Sequence, residues 1–275
     1  MLKNGSSPIA AVVFDWAGTV VDHGSLAPIR TLQQVFAQRE IEIADEVARR
    51  DMGLAKRDHI RNLLAEPEVD ALWQAHYGRS ANEADGDALY ADFIPLQTAC
   101  LLDCSHVIEG VAPVVEELRT HGIRIGGTTG YTRAMMQALE VQAHSEGYAP
   151  DRYLCPDDVG AGRPHPFMCY RLASDLHAAP LSACVKVGDT LSDIDEGRNA
   201  GMWTIGVLRT GNMVGLSAED WAKLPSDQQK EKLSRAESLM LARQAHYVVN
   251  SVAEILPVLD QIAQRIHAGA HPWQS

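Results

Sequence analysis

The sequence predicts an α/β fold: a doubly wound, Rossmann-like parallel sheet with an all-helical cap domain inserted after the first strand. Two observations predict this. Strand-like and helix-like segments alternate through most of the chain, which is typical of a parallel sheet wrapped by helices. Between residues 23 and 104, helical patterns instead follow one another with no convincing strand. We therefore expect a core domain of residues 1–22 and 105–275 and a cap domain of residues 23–104.

The first predicted strand carries a carboxylate to its carboxyl end. Six apolar residues, several of them β-branched, run from Ile9 into Asp15, and Gly18 follows. Ligands of doubly wound sheets bind outside the carboxyl ends of the strands. Asp15 is therefore a candidate for chemistry, although a turn-capping role is the better explanation when the residue is taken alone.

The remaining elements follow from periodicity and from capping residues. The cap patterns predict helices over residues 28–39, 45–65, 68–77 and 84–102. In the core we predict helices over residues 111–121, 132–145 (capped by Thr132), 166–176 (with Pro166 in the first turn) and 193–200. Strands are predicted over 123–127, around 153–154, and over 183–187 and 203–208. A polar helical region, 211–244, precedes a last strand–helix unit over 247–266.

Composition excludes several classes of protein. A net charge of −12 argues against a sequence-independent nucleic-acid binder, so an anionic substrate must meet local positive groups or a metal ion. Only eight residues precede the first strand, and no apolar run approaches the roughly 20 residues that span a bilayer. The odd number of cysteines, five, fits free thiols in a reducing compartment. We expect a cytoplasmic protein without a membrane or nucleic-acid partner.

Polar residues follow three of the predicted strands. They are Asp15, Thr129 in a Thr-Thr-Gly turn, and Asp189, with Asp193 four positions later at the start of a helix. Parallel strands bring these ends to one edge, where clustered carboxylates can hold Mg2+ beside a phosphate. Helix capping explains either aspartate alone, and a simple strand–helix connection explains the threonine turn. Arg163 adds a positive charge suited to phosphate oxygens, although a lone loop arginine is usually solvated.

Taken in order, these residues resemble the four motifs of the haloacid dehalogenase superfamily of phosphoryl-transfer enzymes. The resemblance spans nearly the whole chain, and the helical insertion matches the cap that many members carry. It implies that Asp15 is the nucleophile that attacks phosphorus. It also implies a Mg2+ cofactor held by Asp15, the Ala17 carbonyl and Asp189, with Asp193 in the second shell of the metal.

The residue at position 17 departs from the usual pattern. Phosphatases of the superfamily carry a second aspartate there, which protonates the departing alcohol oxygen, but this chain has Ala17. The missing acid indicates either an inactive enzyme or a leaving group that is not an alkoxide. A carbon leaving group would need an electron sink, which a lysine imine with an aldehyde supplies.

The cap offers such a lysine. On one continuous helix Met52, Lys56 and His59 would share a face, which would direct an amine and a proton-transfer group toward the core. Like-charge repulsion from Arg57 would help to keep the amine neutral if the two side chains lie close together. Taken alone, a helical lysine is usually solvated and a lone histidine is usually structural.

Three short motifs together resemble the phosphonoacetaldehyde hydrolases, the branch of the superfamily that cleaves a carbon–phosphorus bond through a lysine imine. They are Asp-Trp-Ala-Gly-Thr, Met-Gly-Leu-Ala-Lys and Thr-Thr-Gly-Tyr. The resemblance implies a small-molecule phosphonate substrate and a homodimer that pairs through the cap.

By this resemblance Lys56 forms the imine, Asp15 accepts the phosphoryl group and His59 is the proton shuttle. Thr129 and Arg163 would bind the phosphonate, and Met52 and Tyr131 would line the pocket. Two alternatives remain open: a phosphomonoesterase of the same superfamily, and a non-enzymatic receiver module that is phosphorylated on Asp15.

Overall fold

A computed structural model describes residues 7–104 and 106–274. Six parallel strands form one sheet in the order β3-β2-β1-β4-β5-β6. The strands are β1 Ala11–Phe14, β2 Arg124–Thr128, β3 Arg152–Leu154, β4 Cys184–Gly188, β5 Trp203–Val207 and β6 Tyr247–Val249. Because β1 pairs with both β2 and β4, its carboxyl end lies at the point where the strand order reverses. The predicted Rossmann-like core is confirmed.

Five helices follow β1 and form the cap segment, defined here as residues 23–104. They are α1 Leu26–Ala37, α2 Asp45–Arg49, α3 Lys56–Ala65, α4 Pro67–Tyr77 and α5 Glu83–Cys104. Helix α5 packs against α1 and α3. The described helices after the cap segment are α6 Val111–Thr120, α7 Arg133–Ser145, α8 Phe167–Asp175, α9 Leu191–Asn199, α10 Ala218–Lys223, α11 Ser226–Ala242 and α12 Ile255–His267.

The main hydrophobic core runs without interruption from the sheet into the cap segment. It contains Val12 and Phe14 of β1 together with Trp73 and Phe93 of the cap segment, all buried. Burial of this apolar surface is what holds the cap helices against the rest of the chain. The division into a core and a cap domain stays a prediction, and residues 1–6, 105 and 275 of its core ranges lie outside the described residues.

The predicted helix over residues 45–65 is wrong. Helix α2 ends at Arg49 and α3 begins at Lys56, because Gly53 between them adopts a φ of 94°, in the left-handed region. A side chain at Gly53 would also place its Cβ only 2.3 Å from the Thr190 hydroxyl. Met52 therefore lies in a loop before α3 rather than on one helical face with Lys56 and His59.

Other helix starts also differ from the prediction by one or two residues, and two of them lie near the acidic residues and Arg163. Helix α9 begins at Leu191, after Thr190, whose side chain accepts a hydrogen bond from the Asp193 N–H while the Asp193 carboxylate accepts one from the Thr190 N–H. Asp189 therefore precedes the helix, and Asp193 lies in its first turn. Pro166 stands at the N-cap of α8 rather than in its first turn. Thr132 caps α7 as predicted and accepts from the Met135 N–H.

The polar region 211–244 contains α10 and α11, and α11 packs against β6 and α9. Among the residues that the structure describes, no helix combines the length and the apolar character needed to span a membrane. The cysteines at positions 155, 169 and 184 are free thiols.

Candidate active site

Asp15 follows β1 directly and is 5% exposed. Its Oδ1 lies 2.8 Å from Nη2 of Arg163, and its Oδ2 accepts a hydrogen bond of 3.3 Å from the Thr19 hydroxyl. Burial and the charge of Asp193 raise the pKa of Asp15, whereas the positive charges of Arg163 and Lys186 oppose the rise. The carboxylate is thus held in one orientation at the switch point of the sheet.

Asp189, at the end of β4, completes a cluster with Asp15 and Asp193 in which one carboxylate oxygen of each lies within 4.8 Å of the others. Burial and the charge of Asp15 raise the pKa of Asp189 well above its usual range. Asp193 differs because Arg163 and Lys186 lower its pKa despite burial. For Asp15 and Asp189, the nearby positive groups do not offset burial and repulsion between carboxylates. Their oxygens therefore form a hard-oxygen site that fits a divalent metal ion, because a cation would relieve that repulsion. Asp193 already has cationic partners, which fits a place outside the ligand set.

Arg163 is buried instead of solvated, with 1% of its side chain exposed. Besides Asp15 it contacts Asp193 at 3.1 Å and Glu196 at 2.9 Å, and it donates to the Thr128 carbonyl oxygen at 2.8 Å. Although burial opposes its charge, these carboxylates raise its pKa well above the usual value. Arg163 therefore supplies a fixed positive charge beside Asp15.

Thr129 and Tyr131 follow β2 and are both 2% exposed. The Thr129 hydroxyl accepts a hydrogen bond of 3.1 Å from the Tyr131 N–H, which stabilises the turn. The Tyr131 hydroxyl has no hydrogen-bond partner within the described part of the chain. Such a buried donor is available to a bound molecule.

Lys56 begins α3 and is 3% exposed. Its Nζ lies 3.3 Å from the Met52 sulfur and 5.7 Å from the centre of the Tyr131 ring. Burial, with a contribution from Arg163, lowers the pKa of Lys56 to about 8, although the charge of Asp15 opposes the change. Arg57 has a different role from the one suggested by the sequence, because its guanidinium is about half exposed and binds Asp87.

These residues surround one small cavity. Its volume of about 20 Å3 holds roughly one water molecule. The lining residues are Asp15, Ala17, Ser25, Pro28, Met52, Gly53, Lys56, Thr129, Gly130, Tyr131, Arg163, Asp189 and Thr190. Asp193 is not in the lining. A larger cavity of about 770 Å3, beside Asp22 and Arg209, contains neither Asp15 nor Lys56, so we place the active site in the smaller one.

His59 is fully buried on α3 and does not line this cavity. Burial and the nearby positive charge of Lys56 lower its pKa well below the usual value. Its imidazole is therefore neutral at physiological pH, and a neutral imidazole can accept a proton or give one.

Sequence reasoning missed two charged residues behind the site. Lys186 binds Asp193 at 2.7 Å, and Glu196 accepts hydrogen bonds from Arg163 at 2.9 Å and from Thr128 at 3.0 Å. Lys186 could have been found, because a lysine in the middle of an apolar strand is rare unless it is paired. Glu196 lies three residues after Asp193 on α9, on the same helical face.

The chain is similar to known proteins along nearly its whole length. The sequence model of the haloacid dehalogenase-like hydrolase family matches residues 9–201. A phosphonoacetaldehyde hydrolase of Syntrophobacter fumaroxidans is 43% identical over 270 residues, covering 98% of each chain. One from Bacillus cereus is 41% identical over 257 residues, covering 94% of this chain and 97% of the relative.

A solved structure is also closely similar. It is a phosphonoacetaldehyde hydrolase like protein from Oleispira antarctica, with a TM-score of 0.95, 39% identity and coverage of 99% of this chain and 100% of that chain. Because identity is high and coverage nearly complete, the similarity extends to the cap segment as well as to the sheet. The chain belongs to the phosphonoacetaldehyde hydrolase family of the haloacid dehalogenase-like hydrolases.

Proposed function

We propose that the protein hydrolyses the carbon–phosphorus bond of phosphonoacetaldehyde to give acetaldehyde and phosphate. The observation that carries the proposal is a buried lysine with a lowered pKa, Lys56, in the same cavity as Asp15. An amine that is partly neutral near pH 8 can attack an aldehyde, and a carboxylate in the same cavity can attack phosphorus. The names of the relatives support the substrate.

The first steps take place at Lys56. Its neutral amine adds to the aldehyde carbon, and loss of water leaves a protonated imine. When the carbon–phosphorus bond breaks, its electron pair moves into the imine and forms an enamine. Met52 and Tyr131 support the reacting nitrogen, because the Met52 sulfur accepts its hydrogen bond and the Tyr131 ring lies beside it.

The phosphoryl group passes to Asp15, which forms an aspartyl phosphate that water then hydrolyses. Arg163 balances the negative charge of the group, and Thr129 offers its hydroxyl to a phosphoryl oxygen. The enamine takes up a proton at carbon, and water releases acetaldehyde from Lys56. We assign this proton transfer to His59, which lies next to Lys56 on α3; because His59 does not line the cavity, the assignment requires α3 to move during turnover.

Ala17 distinguishes this reaction from ester hydrolysis. It lines the cavity in the place where an acid would protonate an alkoxide, and an enamine leaving group needs no such acid at that position. A phosphomonoesterase is therefore the less favoured alternative, and membership of a hydrolase family disfavours a receiver module.

We further propose Mg2+ as the cofactor, bound by the carboxylates of Asp15 and Asp189 and by the carbonyl of Ala17, with Asp193 in the second shell. The buried acidic cluster supports a metal ion, and hard oxygen donors favour Mg2+. When bound, the ion would offset charge on the phosphoryl oxygens.

The substrate can reach this cavity only if the cap segment moves. Asp15, Lys56 and Arg163 are each at most 5% exposed, and the cavity holds about one water molecule. Opening would admit the substrate, and closure would exclude water from the reacting groups.

Borohydride reduction in the presence of phosphonoacetaldehyde, followed by peptide mapping, tests the proposal. We expect a stable adduct on Lys56 and none on the exposed Lys223, together with release of phosphate from the phosphonate but not from phosphate esters. Turnover without any adduct on Lys56 would sink the imine route. Turnover of phosphate esters alone would establish a phosphomonoesterase.

We also propose a cytoplasmic homodimer that pairs through the cap segment. The free, buried thiols of Cys155, Cys169 and Cys184 support the location. Leu72 and Tyr77 on α4 support the interface, because they are large apolar side chains that remain 46% and 42% exposed. Light scattering should give twice the chain mass of 30.0 kDa, and Leu72→Glu should lower it toward that of one chain. A single-chain mass for the unaltered protein would contradict the dimer.

A further inference from the structure

The loop that follows β5 touches the acidic cluster on one side. The Asn212 N–H donates a hydrogen bond of 2.7 Å to Oδ2 of Asp189. A side chain at Gly211 would bring its Cβ within 2.6 Å of the Asp189 Cβ and 2.8 Å of the Val207 carbonyl oxygen. The loop therefore fits closely against Asp189 and fixes the orientation of its carboxylate.

The same loop binds the cap segment on its other side. Arg49, the last residue of α2, donates to the Asn212 side-chain oxygen at 3.1 Å, and the Asn212 amide donates back to the Arg49 carbonyl oxygen at 3.2 Å. Arg49 also donates to the carbonyl oxygens of Gly24 at 3.0 Å and Gly215 at 3.2 Å. Gly215 has a φ of 68°, and a Cβ there would lie 2.7 Å from the guanidinium carbon.

Arg49 is connected to the reacting amine by a short loop. Three residues later, the Met52 carbonyl oxygen accepts a hydrogen bond of 2.9 Å from Ser192, and the Met52 sulfur contacts Lys56. A displacement of Arg49 would therefore shift Met52 and Lys56 relative to Asp15. Asn212, 2% exposed, is the one described residue that holds both Asp189, through its backbone, and Arg49, through its side chain.

We propose that Asn212 is a positioning residue that couples metal binding at Asp189 to closure of the cap segment over the active site. The inference rests on the metal site of the proposed function. When a cation fixes Asp189, the loop holds Asn212 in the position that receives Arg49, and a docked Arg49 in turn fixes Asp189. Such coupling is reciprocal, so each event strengthens the other by the same factor.

The test uses the full chain without substrate. Calorimetric titration gives the Mg2+ affinity, and hydrogen–deuterium exchange of the peptide that spans residues 49–56 reports docking of the cap segment. In the unaltered protein we expect Mg2+ to slow exchange in this peptide. Asn212→Ala keeps the backbone N–H to Asp189 but removes the side-chain bonds to Arg49. It should therefore weaken Mg2+ binding about tenfold, because coupling between two sites typically changes affinity about 5–150-fold. It should also abolish the effect of Mg2+ on exchange.

Arg49→Lys should reproduce both effects, because a lysine cannot make the several bonds of the guanidinium. Ser217→Ala is the matched control: Ser217 lies in the same region but binds Asp220 instead of Arg49 or Asp189. We expect it to retain the affinity and the Mg2+-dependent protection.

If Asn212→Ala binds Mg2+ as tightly as the unaltered protein and keeps the protection, the coupling is refuted. Absence of Mg2+ binding by the unaltered protein would also overturn it. Neither the Mg2+ affinity nor the exchange rate depends on turnover. If the protein shows the coupling but does not cleave phosphonoacetaldehyde, this inference stands and only the proposed function is refuted.

Discussion

The amine of Lys56 donates a hydrogen bond to the sulfur of Met52, 3.3 Å away, across the break between α2 and α3. Thioether sulfur is a weak acceptor, so the bond orients the amine without strongly favouring its charged form. We expect Met52→Leu, which conserves volume, to lower kcat about threefold to tenfold, the range given by loss of one modest hydrogen bond.

Steady-state kinetics and thermal unfolding measure the effect of Met52→Leu. Met136→Leu is the control, because Met136 is buried on α7 and does not line the cavity. Equal losses of kcat in the two variants would show that packing, and not the sulfur contact, is responsible.

The reactivity of Lys56 should depend on pH through its own ionisation. Its pKa is lowered to about 8, so the neutral fraction rises about tenfold per pH unit below that value and levels off above it. The rate of reductive trapping by an aldehyde in the metal-free protein should follow this curve. Asp15→Asn should move the midpoint to lower pH, because the charge of Asp15 raises the pKa of Lys56.

Arg57→Gln is the control for the pH profile. Because Arg57 is exposed and binds Asp87, its removal should leave the midpoint where it is. A shift in Arg57→Gln, or none in Asp15→Asn, would contradict the electrostatic origin described here.

Burial of Lys56 should cost stability. Its pKa is about 8 in the folded chain and near 10.5 when exposed, so at pH 7 the ammonium destabilises the fold by roughly 3 kcal/mol. Lys56→Met should raise the free energy of unfolding by up to that amount while it abolishes turnover.

The destabilising effect of Lys56 should depend on pH. Between pH 8 and 10.5 the unfolded chain binds more protons at this position, so the unaltered protein should gain stability as pH rises, relative to Lys56→Met. Denaturant unfolding at several pH values measures the difference. A gap between the two proteins that is the same at pH 7 and pH 10.5 would refute the assignment of the cost to Lys56.

Much of this site could be predicted from strand ends. Asp15, Thr129 and Asp189 each follow an apolar strand, and the parallel sheet brings them together as expected. The sequence does not predict the loop before Lys56, because the helix is broken at Gly53, where the backbone packs closely against Thr190. Thr190 is distant in the sequence, so no local pattern indicates this contact. Glu196 and Asn212 were missed for the same reason, because their partners lie far away in the sequence.

Glu196 should matter through Arg163. Its carboxylate accepts from Nε of Arg163 and lies 3.6 Å from Lys186, so it balances two buried cations. Glu196→Gln keeps the shape but removes the charge, and we expect a loss of about 1–3 kcal/mol in the free energy of unfolding. Turnover should fall as well, because Arg163 loses one of the contacts that orient it toward Asp15.

Glu237→Gln is the control: Glu237 is exposed on α11, so its substitution should change neither the free energy of unfolding nor turnover. Normal stability in Glu196→Gln would show that the cations do not need this charge.

The Asp189 carboxylate should destabilise the metal-free fold and contribute to metal binding. In the metal-free chain, burial and the charges of Asp15 and Asp193 raise its pKa well above the usual value, so its ionised form is unfavourable. Asp189→Asn removes this repulsion and should raise the free energy of unfolding of the metal-free protein. Because the folded chain binds the extra proton, the gain should be absent below about pH 3.8 and grow as pH rises.

The same variant should lose more than about 100-fold in Mg2+ affinity, beyond the effect of a residue that only supports a ligand. Chelation of the metal should likewise stop turnover by the unaltered protein without unfolding it. Calorimetric titration measures the Mg2+ affinity, unfolding followed by calorimetry with and without Mg2+ measures the stability, and a phosphate-release assay measures turnover. An asparagine variant that is less stable than the metal-free parent at pH 7, yet binds Mg2+ equally well, would show that Asp189 serves the fold rather than the metal.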